Sequence, residues 1–204
     1  MRRIGLCLFL IGAALASTAQ SDSTSWSFST DMNFYLIPDD YFLLPVFRAD
    51  KNKLHLEARY NYEDRETFSG WVGYNFMGGN GNDLDYTITP MVGGVVGNSD
   101  GMAAGLEITL TYKNFELYTE SENFFDFDSR DNNYFYNWTD LTYSPTDWLW
   151  VGISGQRTRL YQTDLDIQRG ILVGASLKNF ELSAYCYNIG FDDPFFLVTL
   201  SLGF

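Results

Sequence analysis

The last ten residues of the chain, 195–204, alternate in polarity with the period of an extended strand. Successive side chains of a strand point to opposite faces, so one face of this segment is apolar and the other is small or polar. The apolar face carries Phe196, Val198, Leu200, Leu202 and Phe204. A strand of this kind has to place one face against an apolar environment, which constrains the architecture of the whole chain.

The same two-residue period recurs along most of the chain, with no helical periodicity of useful length after the first twenty residues. In 54–62, for example, leucine, alanine and tyrosine alternate with His55, Glu57, Arg59 and Asn61. The chain holds 17 Phe and 14 Tyr, and such aromatic enrichment with glycine and asparagine turns is typical of strands. We predict an all-β protein with strands at 26–37, 41–49, 54–62, 68–76, 84–96, 102–112, 115–125, 134–143, 148–161, 167–178, 180–188 and 195–204.

The connections between these strands fall into two alternating sets. The turns at 51–53, 78–83, 113–114, 144–147 and 178–179 are mostly short, whereas those at 63–67, 126–133, 162–166 and 190–194 are longer and more acidic. Alternation of this kind places both termini at the same end of an antiparallel barrel, and it closes for twelve strands. Pro45 cannot donate to a strand ladder, so ten strands is the alternative if the segment 41–49 drops out with the first one.

The closing strand, with its terminal aromatic residue, resembles the last strand of Gram-negative outer-membrane β-barrel proteins. The resemblance implies a closed antiparallel transmembrane β-barrel with short periplasmic turns, in contact with outer-membrane lipid. It also implies that Phe204 is part of the insertion signal read by the barrel-assembly machinery. A ten-residue strand tilted by about 40° is roughly 25 Å tall, which matches the apolar band of such barrels.

A secreted soluble barrel or sandwich would show the same alternation with its apolar rows turned inward. Alternation alone does not distinguish the two. The terminal Phe204, the regular strand length and the lack of a cysteine framework favour the membrane barrel.

The N-terminus predicts a secretory signal peptide at 1–19, followed by the barrel at 20–204. Arg2 and Arg3 precede a short apolar run, and Ser17 to Ala19 supply a small-residue cleavage site. Of the 13 basic residues, 11 then remain against 26 acidic ones, a net charge of −15. Such acidity argues against nucleic acid as a partner.

Charged residues predicted to face the barrel interior are the candidate functional residues. Acidic side chains at membrane depth must face water or a partner, because contact with lipid is costly. We expect the lumen to be lined by His55, Glu57, Arg59, Glu107, Glu116, Glu120, Glu122 and Glu181. Either these acids surround a wet, cation-favouring pore, or they pair with Arg59, Arg157, Arg159 and Arg169 and close the interior.

Catalysis and metal binding receive less support from the sequence. Barrel hydrolases and acyltransferases use serine and histidine, but His55 lies on the periplasmic side and Ser69 is supported by spacing alone. The acidic loop with Asp126, Asp128 and Asp131 lacks the full spacing of a calcium loop. We therefore expect a non-enzyme without cofactor or metal, a narrow channel for small or cationic solutes. A non-conducting structural or surface-interaction barrel is the alternative.

Overall fold

The computed structural model describes residues 25–79, 84–157, 167–191 and 193–204. It contains thirteen strand segments that form one antiparallel sheet. Their bounds are β1 Ser27–Ile37, β2 Asp40–Lys51, β3 Leu54–Tyr60, β4 Thr67–Tyr74, β5 Phe76–Gly78, β6 Leu84–Gly97, β7 Gly101–Tyr112, β8 Phe115–Asp126, β9 Tyr134–Thr146, β10 Leu149–Arg157, β11 Gln168–Leu177, β12 Phe180–Tyr187 and β13 Phe195–Gly203. Because β4 and β5 both pair with β6 and are separated by Asn75 alone, they are two parts of one barrel strand.

The sheet closes into a barrel of twelve strands, as the alternation of connections predicts. Each strand pairs with its neighbour in sequence, and β1 pairs with β13 to complete the circle. At this seam the backbones of Phe28 and Phe204 exchange two hydrogen bonds, of 3.0 and 2.9 Å, and their rings stack with centroids 6.0 Å apart. Within the described ranges, the only helical element is the short 3-10 turn Arg130–Asn132, and no helix is long and apolar enough to cross a membrane.

The proline-bearing segment is a full strand, so the ten-strand alternative is wrong. Pro45 lies opposite Met32 of β1, and the ladder between β2 and β3 begins only at Val46. The missing N–H of Pro45 therefore leaves that second ladder intact. Several predicted features lie outside the described residues: the signal peptide, most of the turn at 78–83, the end of the strand at 148–161 and the loop at 162–166.

The two ends of the barrel differ. We call the end that holds Ser27 and Gly203 the termini end, and the opposite end the loop end. Tight connections close strand pairs at the termini end, where Asn52, Lys113 and Lys178 adopt the positive φ that two-residue hairpins need. Longer connections lie at the loop end, between β3 and β4, β8 and β9, and β12 and β13.

The outer face of the barrel is apolar along its middle and aromatic at both rims. Mid-strand positions expose aliphatic side chains, among them Val72, Val92, Leu106, Leu141, Ile153, Ile171 and Leu200. Exposed aromatic side chains at the termini end are Trp26, Phe28, Tyr74, Phe76, Tyr112, Phe115, Tyr143, Trp148, Phe180 and Phe204. Those at the loop end are Tyr41, Tyr60, Phe68, Phe125, Phe127, Phe135 and Phe191. An apolar band between two aromatic girdles is the surface that a transmembrane barrel presents to lipid.

The inner face divides into a polar half and an aromatic half. Toward the loop end, the interior is filled by a set of buried side chains that we call the aromatic plug. It comprises Tyr35, Phe42, Leu44, Val46, Tyr62, Tyr136, Trp138, Leu172, Tyr185, Tyr187, Phe195 and Leu197. The rings of Tyr187 and Phe195 stack with centroids 4.7 Å apart, as do those of Tyr35 and Phe42. Charged side chains lie beside the plug: Arg59 is opposite Val46, and Glu120 is opposite Trp138, in neighbouring strands.

Candidate functional site

Arg59 is the centre of a charge cluster that crosses the barrel interior. The alternation of β3 turns His55, Glu57 and Arg59 inward, and Arg59 is only 1% exposed. Its Nε donates to Oε2 of Glu57 at 2.5 Å, and its Nη1 donates to Oε1 of Glu120 at 2.7 Å. Glu120 lies on β8, which is separated from β3 by β4, β6 and β7 around the barrel. The ion pair therefore spans the lumen instead of linking neighbouring strands.

Further charged groups extend this cluster on both sides. Arg48, on β2, donates from Nε to Oε1 of Glu57 at 2.8 Å and also bonds Asp31 of β1. Glu122 and Glu107 approach the guanidinium of Arg59 more loosely, at 3.6 and 3.9 Å. We call the resulting set, Asp31, Arg48, Glu57, Arg59, Glu107, Glu120 and Glu122, the charge bridge.

Aromatic side chains hold the guanidinium of Arg59 in place. Its carbon lies 4.3 Å from the ring centroid of Tyr62 and 4.6 Å from that of Trp71. The hydroxyl of Tyr62 also donates to Oε2 of Glu120 at 2.6 Å. A cation over aromatic faces is attracted by the ring quadrupole, and this attraction strengthens where water is excluded. Charge and ring contacts thus hold the guanidinium of Arg59, whereas the two buried carboxylate oxygens of Glu122 accept no hydrogen bond from a described residue.

His55 joins the bridge through Glu57, and its ring nitrogens are not free to bind a metal ion. Its Nδ1 lies 2.8 Å from Oδ1 of Asp50, and its Nε2 lies 3.0 Å from Oε1 of Glu57. Ligand atoms of His55, Glu57 and Glu107 lie within 4.8 Å of one another, which is close enough to surround an ion. However, the nitrogens of His55 and the oxygens of Glu57 already contact Asp50 and two arginines. These residues fit an ion-pair network better than a metal site.

A cavity of about 520 Å³ lies in the lumen, and members of the bridge form part of its wall. Turn residues Lys113, Asn114 and Asp147 and the strand-end residue Ser144 lie at its rim, so it opens toward the termini end. Its charged lining is strongly one-sided, because seven carboxyl groups face two basic side chains. The carboxyl groups belong to Asp31, Glu107, Glu116, Glu120, Asp140, Asp147 and Glu181, and the basic side chains are Arg48 and Lys113. We call this space the acidic cavity.

The floor of the acidic cavity is formed by members of the aromatic plug. Tyr62, Trp138, Leu172 and Tyr185 line it there, together with Asp140. Another cavity, of about 510 Å³, lies beside His55, Asp50 and Glu107. Glu107 of the charge bridge lines both cavities, and members of the aromatic plug line the acidic cavity toward the loop end.

The predicted lumen residues take different places in this arrangement. Glu107, Glu116, Glu120 and Glu181 line the acidic cavity, and His55 lines the other cavity together with Glu107. Glu57, Arg59 and Glu122 are packed inside the bridge, with exposures of 5, 1 and 1%. The bridge thus combines several of the predicted residues, whereas Glu116 and Glu181 stay apart from it near the termini end.

The arginine partners expected for a closed interior need correction. Arg157 and Arg169 are exposed on the outer face, because they share the parity of Ile153 and Ile171, and neither pairs with a described acidic residue. Arg159 lies outside the described residues. Arg48 takes the role instead. The alternation of β2, which places Val46, Arg48 and Asp50 on one face, is the signal that could have identified it.

Other candidates from the sequence have local structural roles. The hydroxyl of Ser69 donates to Oε1 of Glu63 at 2.5 Å, while His55 contacts Asp50 and Glu57. Glu63 lies in the connection between β3 and β4, and burial raises the pKa of its carboxyl group. In the acidic loop, Oδ1 of Asp126 accepts hydrogen bonds from the backbone N–H groups of Asp128 and Ser129.

Comparison with known proteins identifies the fold and not a family. No protein-family model and no curated protein matches the chain. Among solved structures, the KdgM porin superposes with a TM-score of 0.60 at 12% identity, over 86% of this chain and 99% of that one. The KdgM porin in complex with disordered oligogalacturonate gives the same values. The outer membrane protein Omp33 of Acinetobacter baumannii gives a TM-score of 0.48 at 13% identity, over 89% and 98% of the two chains. The chain shares with the KdgM porin the fold of a closed twelve-stranded antiparallel β-barrel.

Proposed function

We propose that this protein is an outer-membrane barrel of a Gram-negative bacterium that offers a narrow path to small cationic solutes. In this proposal, residues 1–19 are a signal peptide removed on export. The acidic cavity is the observation that carries the proposal, because its seven carboxyl groups outnumber its basic groups and it opens at one end of the barrel. An interior lined by acidic side chains attracts cations and repels anions.

The outer surface supports the membrane location. Ile153 and Phe196 expose 60 and 53% of their surface, and such residues recur around the barrel wall. A continuous apolar surface of this extent is unfavourable in water and favourable in lipid. At the termini end, the ammonium groups of Lys51 and Lys113 lie 5.7 and 5.0 Å from the ring centroids of Trp26 and Tyr112. Basic and aromatic side chains together are typical of the membrane–water interface.

The expected solute differs in charge from the ligand named for the KdgM porin. That porin is solved with oligogalacturonate, a chain of uronic acids that is negatively charged at neutral pH. Glu107, Glu116 and Glu181 would repel such a chain from the acidic cavity. The shared barrel therefore serves a solute of opposite charge in our proposal.

A non-conducting barrel is the second candidate, and the aromatic plug favours it. Tyr187, Phe195 and Leu197 expose 1% of their surface or less, and the charge bridge spans the lumen next to them. In a closed barrel, the acidic cavity would be a binding pocket open on one side only. The connections at the loop end would then present a binding surface.

Planar-bilayer recording of the refolded protein in symmetrical potassium chloride separates the two candidates. Discrete current steps of low conductance are expected for the narrow path. An inserted and folded barrel that stays silent would contradict conduction and support the closed barrel.

Neutralising the outer acids of the cavity should weaken its preference for cations. We expect Glu116→Gln combined with Glu181→Gln to lower the ratio of potassium to chloride permeability about twofold, because a local field concentrates counter-ions. Both carboxyl groups line the cavity. The matched control is Glu66→Gln, since Glu66 is an exposed acid at the loop end. An unchanged ratio in the double variant would show that the permeating ion does not pass these positions.

Phe204 should matter for assembly in cells more than for stability. We propose that the barrel-assembly machinery reads the closing strand, and Phe204→Ser removes an exposed ring whose aromatic contact is Phe28. Loss of that contact costs only about 0.5–1.5 kcal/mol. We expect a several-fold loss of membrane-assembled barrel in cells and nearly normal refolding into liposomes. Phe180→Ser, which removes another exposed ring of the same girdle, is the control. Equal assembly of the two variants in cells would contradict the role of Phe204.

A further inference from the structure

The interior shows how it accommodates a positively charged group. The guanidinium of Arg59 lies over the rings of Tyr62 and Trp71, at 4.3 and 4.6 Å, and bonds the carboxylates of Glu57 and Glu120. Rings supply the faces and carboxylates supply the opposite charge. Arg59 is a cation that the chain itself supplies, and its attachment to β3 holds it between these rings and carboxylates.

Asp140 is also buried beside aromatic side chains, which here donate hydrogen bonds to the carboxylate from their ring edges. Its Oδ1 accepts a hydrogen bond from Nε1 of Trp138 at 2.7 Å, and its Oδ2 accepts one from the hydroxyl of Tyr185 at 3.0 Å. The rings of Trp138 and Tyr185 stand nearly perpendicular to each other, with centroids 5.7 Å apart. Across the described residues, no lysine, arginine or histidine forms an ion pair with Asp140.

Asp140, Trp138 and Tyr185 all line the acidic cavity, and each exposes 9% of its surface. The cavity of about 520 Å³ falls within the range of small-molecule sites, and its rim of turn residues opens toward the termini end. Leu172 and Trp150 line it as well and add apolar surface. The cavity thus offers a guest one buried carboxylate, several ring surfaces and an entrance.

We propose that the acidic cavity binds an organic ammonium cation at Asp140, with Trp138 and Tyr185 as its aromatic walls. This inference deepens the proposed function by naming the class of solute, and it rests on that function only for the passage of the solute onward. An inorganic ion would lose its hydration shell and gain only ring surfaces and one carboxylate, whose oxygens already accept hydrogen bonds. That exchange is unfavourable. An organic ammonium ion is weakly hydrated, and its methyl groups gain from contact with aromatic faces.

Choline and its neutral isostere 3,3-dimethylbutanol test the inference by their difference in charge alone. Binding is measured by calorimetry and by tryptophan fluorescence of the refolded protein in a maltoside detergent, because phosphocholine detergents carry the headgroup of the probe. We expect choline to bind at least tenfold more tightly than the alcohol. Equal affinities for the two compounds would overturn the site. So would the absence of choline binding at millimolar choline, present in 100-fold excess over the protein.

Two substitutions and one control locate the site. Asp140→Asn removes the charge while keeping an oxygen for Trp138 or Tyr185, and we expect it to weaken choline binding about tenfold. Tyr185→Phe keeps the ring and provides a second variant if the first one fails to fold, with an expected loss of twofold to fivefold. Asp147→Asn removes one charge at the rim of the same cavity and should change the affinity less than twofold. Equal losses at positions 140 and 147 would show a diffuse field and overturn the site at Asp140.

Failure of this inference is distinguishable from failure of the proposed function. If the barrel is cation-selective but binds choline and the alcohol equally, the site at Asp140 is contradicted and the proposed cation path is supported. A silent barrel that binds choline with the expected dependence on Asp140 would support the site and contradict conduction.

Discussion

Arg59→Met should lower the free energy of unfolding by about 3–5 kcal/mol, the usual cost of removing one member of a buried ion pair. The substitution keeps an apolar stem of similar length but leaves Glu57 and Glu120 without their shared partner. It also leaves Glu122 without the cation that lies 3.6 Å from its carboxylate. Excess buried negative charge then opposes the folded state.

Urea-induced unfolding of the barrel in liposomes measures this loss. Arg65→Met is the matched control, because Arg65 pairs with Asp40 at an exposed position where ion pairs contribute little. Adding Glu120→Gln to Arg59→Met should restore part of the stability, since it removes one of the unpaired charges. A loss below about 1 kcal/mol for Arg59→Met would contradict the charge bridge as a structural element. Because the bridge crosses the lumen, we also expect Arg59→Met to raise any measured conductance.

Ile153→Arg should destabilise the inserted barrel by about 2–4 kcal/mol if the outer face contacts lipid. Ile153 lies in the middle of β10, is 60% exposed and faces away from the interior. At an exposed position in water, the same substitution would change stability by only about 0.5 kcal/mol. The effect therefore distinguishes a membrane barrel from a soluble one.

Ile167→Arg provides the control for depth. Ile167 is 50% exposed and lies next to β11 at the loop end, where an arginine can reach the interface. Its cost should fall to about 0–1 kcal/mol. Unfolding in lipid vesicles measures both variants. Equal and small effects at the two positions would place the apolar face in water and contradict the membrane barrel.

The architecture could be predicted because one signal repeats. Strict alternation fixes which residues share a face, and the order of short and long connections fixes the strand count. The segment 54–60 shows this well, since Leu54 and Tyr60 are exposed while His55, Glu57 and Arg59 are buried. The alternation stops there, because β3 ends at Tyr60 and Tyr62 turns inward to join the aromatic plug. The strand that contains Pro45 left ten strands as an alternative. The sequence shows that Pro45 lacks a backbone N–H, but it does not show whether a hydrogen bond to a neighbouring strand is needed at that position.

The aromatic plug was missed, although the sequence carries a sign of it. The run from Phe195 to Val198 is apolar at four consecutive positions, and its alternate members Phe195 and Leu197 are buried inside the barrel. A strand with two apolar faces has apolar surroundings on both sides. A prediction that considers only the outer face of this strand therefore overestimates the open space inside the barrel.

Partners across the lumen could not be predicted, because alternation gives the face of a residue and not its height or its distance from other strands. Arg59 and Glu120 are 61 positions apart in the chain, and their contact depends on the closure of the whole barrel. The pairing of Arg48 with Glu57 was accessible, since the two lie opposite each other in adjacent strands. Arg157 illustrates the limit, because a charge near a strand end can lie on the outer face at the rim.

The zero-current potential across a tenfold gradient of potassium chloride tests the central claim most directly, because its sign reports the charge of the ion that passes the barrel. We predict a potential close to the equilibrium potential of potassium, as expected for a path lined by Glu107, Glu116 and Glu181. A potential of the opposite sign, close to the equilibrium potential of chloride, would contradict an acidic cation path through this barrel.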